Sequence, residues 1–252
     1  MPIVENINST EKKVIIADVD DTICESCQLI SDSMAFEISR LVDAGFSFAF
    51  ISGTKSESLQ RMISSKLKKE HHILGTTGTN YTLMKDDGAV EIVYKYSLSD
   101  EEKKEIISAF DKLISHYNIQ SMTTKEDQVQ DRESQITLSA IGRHASSEMK
   151  AAYDPDGKIR LKWIEFLKEH LDSEKYHLKI GGTTSVDITK KGFDKEWGIK
   201  KFAEHREINH SEIIFFGDKL YPGGNDFAAA KIVDCIAVKN PEDTLRKLKE
   251  LF

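Results

Sequence analysis

Three carboxylates and a hydroxyl, Asp18, Asp20, Asp21 and Thr22, follow directly on the apolar run Val14-Ile15-Ile16-Ala17. A short run rich in β-branched residues reads as a buried strand. In an open α/β sheet, ligands bind just beyond the carboxyl ends of the strands, so these acids stand where chemistry is expected. In extended chain Asp18 and Asp20 point to one face. Like charges held that close repel until a cation or a proton relieves them, and Mg2+ suits an oxygen-only site. A plain acidic turn capped by Asp21 or Thr22 fits these residues equally well. Two further strand ends decide between the readings. Phe46–Ile51 runs into Ser52-Gly53-Thr54, where a hydroxyl stands beside a glycine that lets a phosphate approach the backbone. Ile213–Phe216 runs into Gly217-Asp218-Lys219 and then Pro222-Gly223-Gly224-Asn225-Asp226. Three strands ending in Asp-x-Asp, Ser-Gly and Gly-Asp form a phosphate-and-magnesium constellation.

The elements that must position these residues alternate between strand and helix. Ser31 or Asp32 caps a helix over Met34, Ile38, Leu41 and Val42 that Gly45 stops. A helix from about Ser56 carries Leu59, Met62, Ile63 and Leu67, and Ile73-Leu74-Gly75 is a third strand. This rhythm predicts a parallel, doubly wound α/β sheet, followed by a hairpin at Asp87-Gly88. From about residue 96 to 188 the rhythm changes. Ser99-Asp100-Glu101-Glu102 is a capping box for a helix carrying Ile106, Phe110 and Leu113. Gln128–Ile141 alternates as one half-exposed strand, a helix covers about 158–171, and strands follow at 176–180 and 185–189. The expectation is a Rossmann-like core from 1–95 and 189–252, split around an inserted α+β cap at 96–188 with an antiparallel sheet. A strand at 235–238 and a helix opened by Asn240-Pro241 close the core.

The 252 residues suffice for two modest cores, and a hydrophobic content of 39% with 31% charged residues suits a soluble cytoplasmic enzyme. The net charge of −7 argues against nucleic acid, which needs a basic footprint. No run reaches the length of a membrane span, and three cysteines make no disulfide framework.

The constellation resembles the haloacid dehalogenase superfamily, whose first motif is Asp-x-Asp-x-Thr, and within it the phosphomannomutase branch with a large α/β cap. The matching stretches are Ser139-Ala140-Ile141-Gly142-Arg143, Gly181-Gly182-Thr183-Thr184-Ser185-Val186-Asp187, Gly192-Phe193-Asp194-Lys195, and the run from Phe215 to Asp226. The resemblance implies that Asp18 is the nucleophile and Asp20 the general acid and base. It implies Mg2+ on Asp18, Asp218 and the backbone carbonyl of Asp20, with Asn225 and Asp226 orienting from outside. Lys195, Ser52 and Gly53 would hold the phosphate, and Arg132, Arg143, Lys150, Ser185 and Asp187 the distal part of a sugar phosphate. A homodimer through the cap is also implied. Taken without the resemblance, Arg132 and Arg143 lie an odd count apart, which one regular strand would put on opposite faces, unless Arg143, following Gly142, already stands in the loop beyond the strand.

Three departures stand against full mutase function. Asp21 replaces the family's glycine, Cys27 stands where mutases carry an arginine for phosphate, and Lys150 replaces another arginine. Lysine is the weaker bidentate phosphate partner. The expectation is therefore a Mg2+-dependent phosphatase acting on a small phosphorylated substrate, with phosphomannomutase transfer as the alternative. A thiol redox pair at Cys24 and Cys27 is a distant alternative from another class, as is a catalytically silent sugar-phosphate binding protein.

Overall fold

The computed structural model describes residues 11–142, 144–181 and 183–252. The chain begins with β1 (Val14–Ala17), α1 (Asp32–Asp43), β2 (Ser47–Ile51), α2 (Ser56–Leu59), β3 (His71–Gly75), β4 (Asn80–Met84) and β5 (Val90–Lys95). Next come α3 (Asp100–Tyr117), α4 (Lys125–Gln128), β6 (Val129–Asp131) and β7 (Gln135–Ser139). They lead to α5 (Ser147–Tyr153), α6 (Lys158–Lys168), β8 (Tyr176–Gly181) and β9 (Ser185–Lys190). The chain ends with α7 (Lys195–Arg206), β10 (Ile213–Gly217), β11 (Asp234–Ala237) and α8 (Pro241–Leu251).

Backbone contacts divide it into two compact units, one running up to Lys95 and resuming at Phe193–Phe252, the other Tyr96–Gly192. The second boundary lies beyond residue 188 because β9 continues to Lys190 and the Lys191 amide donates to Lys175 O. No helix among the described residues is long and apolar enough to cross a membrane.

The first unit is built on a sheet in the order β11-β10-β1-β2-β3-β4-β5. Strands β11 to β3 are parallel, whereas β4 and β5 pair antiparallel. The sheet is therefore mixed, and its antiparallel edge is the hairpin turning at Asp87-Gly88, where Gly88 takes φ +84°. Alternate residues feed two cores, as strand geometry requires. Ile15, Ala17, Phe48, Phe50, Ile214 and Phe216 pack with α1, α2 and α8 on one face. Val14, Ile16, Ala49, Ile51 and Phe215 pack with Ile199 and Phe202 of α7 on the other. Helix α1 starts where Ser31 Oγ accepts from Met34 N at 3.1 Å. The helix at Ser56 continues as a π-helical turn over Gln60–Ser64.

The second unit has an antiparallel sheet in the order β6-β7-β9-β8. Ile136, Leu138, Val186 and Ile188 on one of its faces pack against Ile106, Phe110 and Leu113 of α3 and Trp163 and Leu167 of α6. The single strand expected over Gln128–Ile141 is two, joined by a turn at Arg132–Ser134 in which Glu133 takes φ +71° and its amide donates to Asp131 Oδ1. Helix α5, absent from the sequence reading, is capped by Ser146, whose Oγ accepts from Met149 N.

Candidate functional site

The carboxyl ends of adjacent parallel strands assemble the site. Ala17 of β1 pairs in register with Phe50 of β2 and Phe216 of β10, so Asp18, the Ser52 loop and Asp218 leave neighbouring strand ends. The Asp18 amide donates to Phe216 O at 2.9 Å. Immediately after it the chain makes a tight coil in which Val19 O accepts from the amides of Thr22, Ile23 and Cys24. Asp21 N then donates to Cys24 O at 2.8 Å. That coil puts Asp21 at φ +62°, a conformation that favours glycine and costs an aspartate little, since its short polar side chain tolerates it.

Lys195 is the first residue of α7, whose cap is Asp194, accepting from Trp197 N. Its ammonium is 1% exposed and lies 2.5 Å from both Asp18 Oδ1 and Asp226 Oδ1. Asp18 and Asp226 are themselves 4% and 0% exposed. Charges this deep persist only when paired. One lysine between two carboxylates leaves the trio one negative charge over, which a cation can balance. Burial pushes the Asp18 carboxyl up to about 7, against the pull of Lys195 and with the repulsion of Asp226.

Asp18, Asp218 and Asp226 each offer an oxygen, all within 4.8 Å of one another. This hard, oxygen-only donor set fits a divalent cation of the magnesium class. Both oxygens of Asp226 are already engaged, Oδ1 by Lys195 and Oδ2 by the Lys219 amide at 2.9 Å. It is therefore better suited to fix Lys195 and the Asp218-Lys219 backbone than to face a metal directly. Asn225 Nδ2 reaches Asp226 Oδ1 at 3.4 Å. Lys219, to which the sequence reading gave no role, donates to Asp218 Oδ2 at 2.6 Å. Its position next to Asp218 was the available signal. Thr22 Oγ1 lies 3.5 Å from the other Asp218 oxygen.

Asp20 Oδ1 accepts from Cys27 N at 2.9 Å and Ser26 Oγ at 3.2 Å. Cys27 contributes through its backbone, in a left-handed conformation, rather than through an arginine-like charge. Ser52 is buried and its Oγ accepts from Thr54 N, while its carbonyl accepts from Thr77 N at 2.8 Å. A Cβ on Gly53 would meet nothing within 4 Å, so open space lies before the loop. The turn that braces it is strained, with Thr76 and Thr77 at φ +47° and +58°.

In the second unit, Asp187 Oδ1 accepts from Thr137 Oγ1 at 2.7 Å, in register across β7 and β9. Burial pushes its carboxyl up, opposed by the Thr137 bond and by the charge of Arg132. A Cβ on Gly181 would come 2.3 Å from Asp187 Oδ2, so any larger residue there would push the Asp187 carboxylate aside. Arg132 donates to Gln130 Oε1, Ser185 opens β9, and Lys150 lies on α5. Arg143 lies outside the described residues. The missed partner here is Thr137, signalled only by the polar alternation of its strand.

The cysteine alternative finds no support in this geometry. Cys24 is buried and Cys27 exposed, both as free thiols, and burial with the nearby carboxylates pushes Cys24 up to about 12. A redox thiol needs the opposite shift.

Comparison with known proteins follows the same lines. A family model described as eukaryotic phosphomannomutase matches residues 48–252. Phosphomannomutase 1 of Dictyostelium discoideum is 28% identical over 253 residues, spanning 95% of this chain and 96% of that protein. The phosphomannomutase of Spinacia oleracea is 33% identical over 175 residues, covering 67% of each. Among solved structures, an IMP-bound, N-terminally truncated IMP-nucleotidase of Plasmodium falciparum superposes with a TM-score of 0.69 at 16% identity, covering 95% of this chain and 68% of that one. At that identity the likeness concerns the fold.

Proposed function

The chain belongs to the eukaryotic phosphomannomutase family, within the haloacid dehalogenase superfamily, and from that footing we propose that it moves a phosphoryl group between the C1 and C6 oxygens of a hexose by way of Asp18. It is an enzyme of the phosphotransferase and phosphatase type, and the comparisons favour the mutase alternative over the hydrolase expected from sequence. The observation that carries the reading is the Asp18 carboxylate at a strand end, held by a buried Lys195 and grouped with Asp218 and Asp226.

In this mechanism an Asp18 oxygen forms a bond to phosphorus while the bond to the sugar oxygen breaks, leaving an acyl phosphate. Asp20 gives a proton to the departing oxygen and takes it back from the hydroxyl that next attacks phosphorus, as the bond from phosphorus to Asp18 breaks. Its bonds from Cys27 N–H and Ser26 Oγ hold the carboxylate in place between these steps. Lys195 holds Asp18 in line and offsets the anionic charge that gathers there. Ser52 and the open approach at Gly53 suit the phosphate oxygens, and Arg132, Arg143, Lys150, Ser185 and Asp187 the distal end of the sugar phosphate. Bound Mg2+ at Asp18 and Asp218, with the Asp20 carbonyl, would supply charge neutralisation between two anions. A homodimer through the second unit belongs to the same proposal, and size-exclusion chromatography with light scattering tests it.

Hydrolysis is the second reading, favoured by Cys27 and Lys150 at positions where the family's mutases use arginine. Incubation with mannose 1-phosphate, Mg2+ and a catalytic amount of hexose bisphosphate separates the two. The proposal predicts mannose 6-phosphate; inorganic phosphate in step with substrate loss would overturn it in favour of hydrolysis.

A further inference from the structure

One carboxylate at this site has no place in the mechanism above. Asp21 occupies a left-handed turn position at φ +62°, with its side chain aimed to within 3.9 Å of the Lys219 ammonium. Lys219 in turn sits 2.6 Å from Asp218 Oδ2, on one of the three carboxylates grouped closely enough to hold a divalent cation. A cation arriving at Asp218 therefore meets a positive charge already in residence on the same carboxylate. Two positive charges a few ångströms apart repel, so the ammonium must withdraw for the cation to bind. The Lys219 backbone cannot follow, because its amide is tied to buried Asp226. Only the side chain, partly exposed, is able to swing.

We propose that Asp21 receives the Lys219 ammonium when a divalent cation takes Asp218. Asp21 thereby acts as a positioning residue for metal binding, through Lys219 rather than as a ligand. The inference rests on the cation site proposed above. It makes a prediction that the bare field of a nearby carboxylate does not: the benefit of Asp21 must depend on Lys219 being present.

The test is a double-mutant cycle read as Mn2+ affinity, by calorimetry or by electron paramagnetic resonance of free Mn2+, without substrate. Asp21→Asn keeps a residue that tolerates the left-handed turn while removing the charge. Lys219→Met removes the competitor. Asp21→Asn should weaken Mn2+ binding by about two- to five-fold, the scale of a part-exposed ion pair. Lys219→Met should tighten binding, and in that background Asp21→Asn should have no effect. Circular dichroism melts of all four proteins establish that each is folded. An equal loss in both backgrounds identifies a field effect and overturns the inference, as does no loss in the first. If the unaltered protein binds no Mn2+, the cation site itself falls and this inference with it. Intact binding without coupling removes the inference alone.

Discussion

Helix α7 sets the position of Lys195, and its depth within the first unit is fixed by a contact between two glycines, Gly198 and Gly78. A Cβ on Gly198 would come 2.3 Å from Thr77 O, 2.9 Å from Ile51 Cδ1 and 3.1 Å from Gly78 Cα. Two effects of opposite sign follow from Gly198→Ala. Helix propensity favours alanine by about 1 kcal/mol. The overlap is with backbone in a turn already strained at Thr76 and Thr77, and overpacking of this kind costs about 1–3 kcal/mol or more. Because the overlap is with backbone, the cost should lie at the upper end of that range and prevail, for a net loss of about 2 kcal/mol. That corresponds to a melting point lower by several degrees, at roughly 2–4 °C per kcal/mol for a unit of this size. Lys195 lies one helical turn before Gly198, so a shift of α7 by about 1 Å carries the ammonium away from Asp18 and should lower kcat by about 100-fold. Scanning calorimetry and steady-state assays read the two effects separately. A variant at least as stable as the parent, with kcat intact, would refute the claim that this contact sets the lysine.

Gly53→Ala offers the contrast, since nothing lies within 4 Å of the added Cβ: melting should be unchanged or raised while kcat/KM falls, and full activity would remove the phosphate path from this loop. Burial pushes His72, bonded to Ser47 Oγ and Tyr81 Oη, down from 6.5 to about 3. Both states are neutral above pH 6.5; below it only the unfolded chain takes the proton, so stability should fall by up to about 1.4 kcal/mol per pH unit down toward pH 3. Denaturant melts of His72→Gln should lose that component of the slope, and an identical slope would contradict it. In the second unit, Asp154 is 2% exposed, takes the amides of Ile159 and Arg160, and pairs with buried Arg160 at 2.8 Å. Asp154→Asn should cost about 3–5 kcal/mol by taking the carboxylate charge away from the buried guanidinium; a urea midpoint near that of the parent would count against it.

The strand ends were legible because apolar runs and glycine-bearing turns are local signals. Asp18, Ser52 and Asp218 could thus be placed together from the alternation of strand and helix alone. The salt link between Lys195 and Asp226 could not, because it joins the start of one helix to a turn 31 residues later. Sequence reading put Asp226 outside the metal, and the structure adds that its two oxygens are spent on Lys195 and the Lys219 amide. The bond that Asp20 Oδ1 takes from Cys27 N is not legible in the sequence, because it depends on a left-handed residue that no composition rule singles out. The hairpin at Arg132–Ser134 was missed because its turn uses glutamate, not glycine or asparagine, at φ +71°, so the polar alternation runs on as if unbroken. Helix α5 has too few buried apolar residues to show a periodicity.

The account turns on phosphorus being captured by Asp18. The direct measurement is an acid quench of the enzyme after brief exposure to radiolabelled hexose bisphosphate, followed by peptide mapping. Label on the peptide carrying Asp18, lost on treatment with hydroxylamine and absent from Asp18→Asn, is the predicted result. Label on another residue, or turnover by Asp18→Asn, would contradict it.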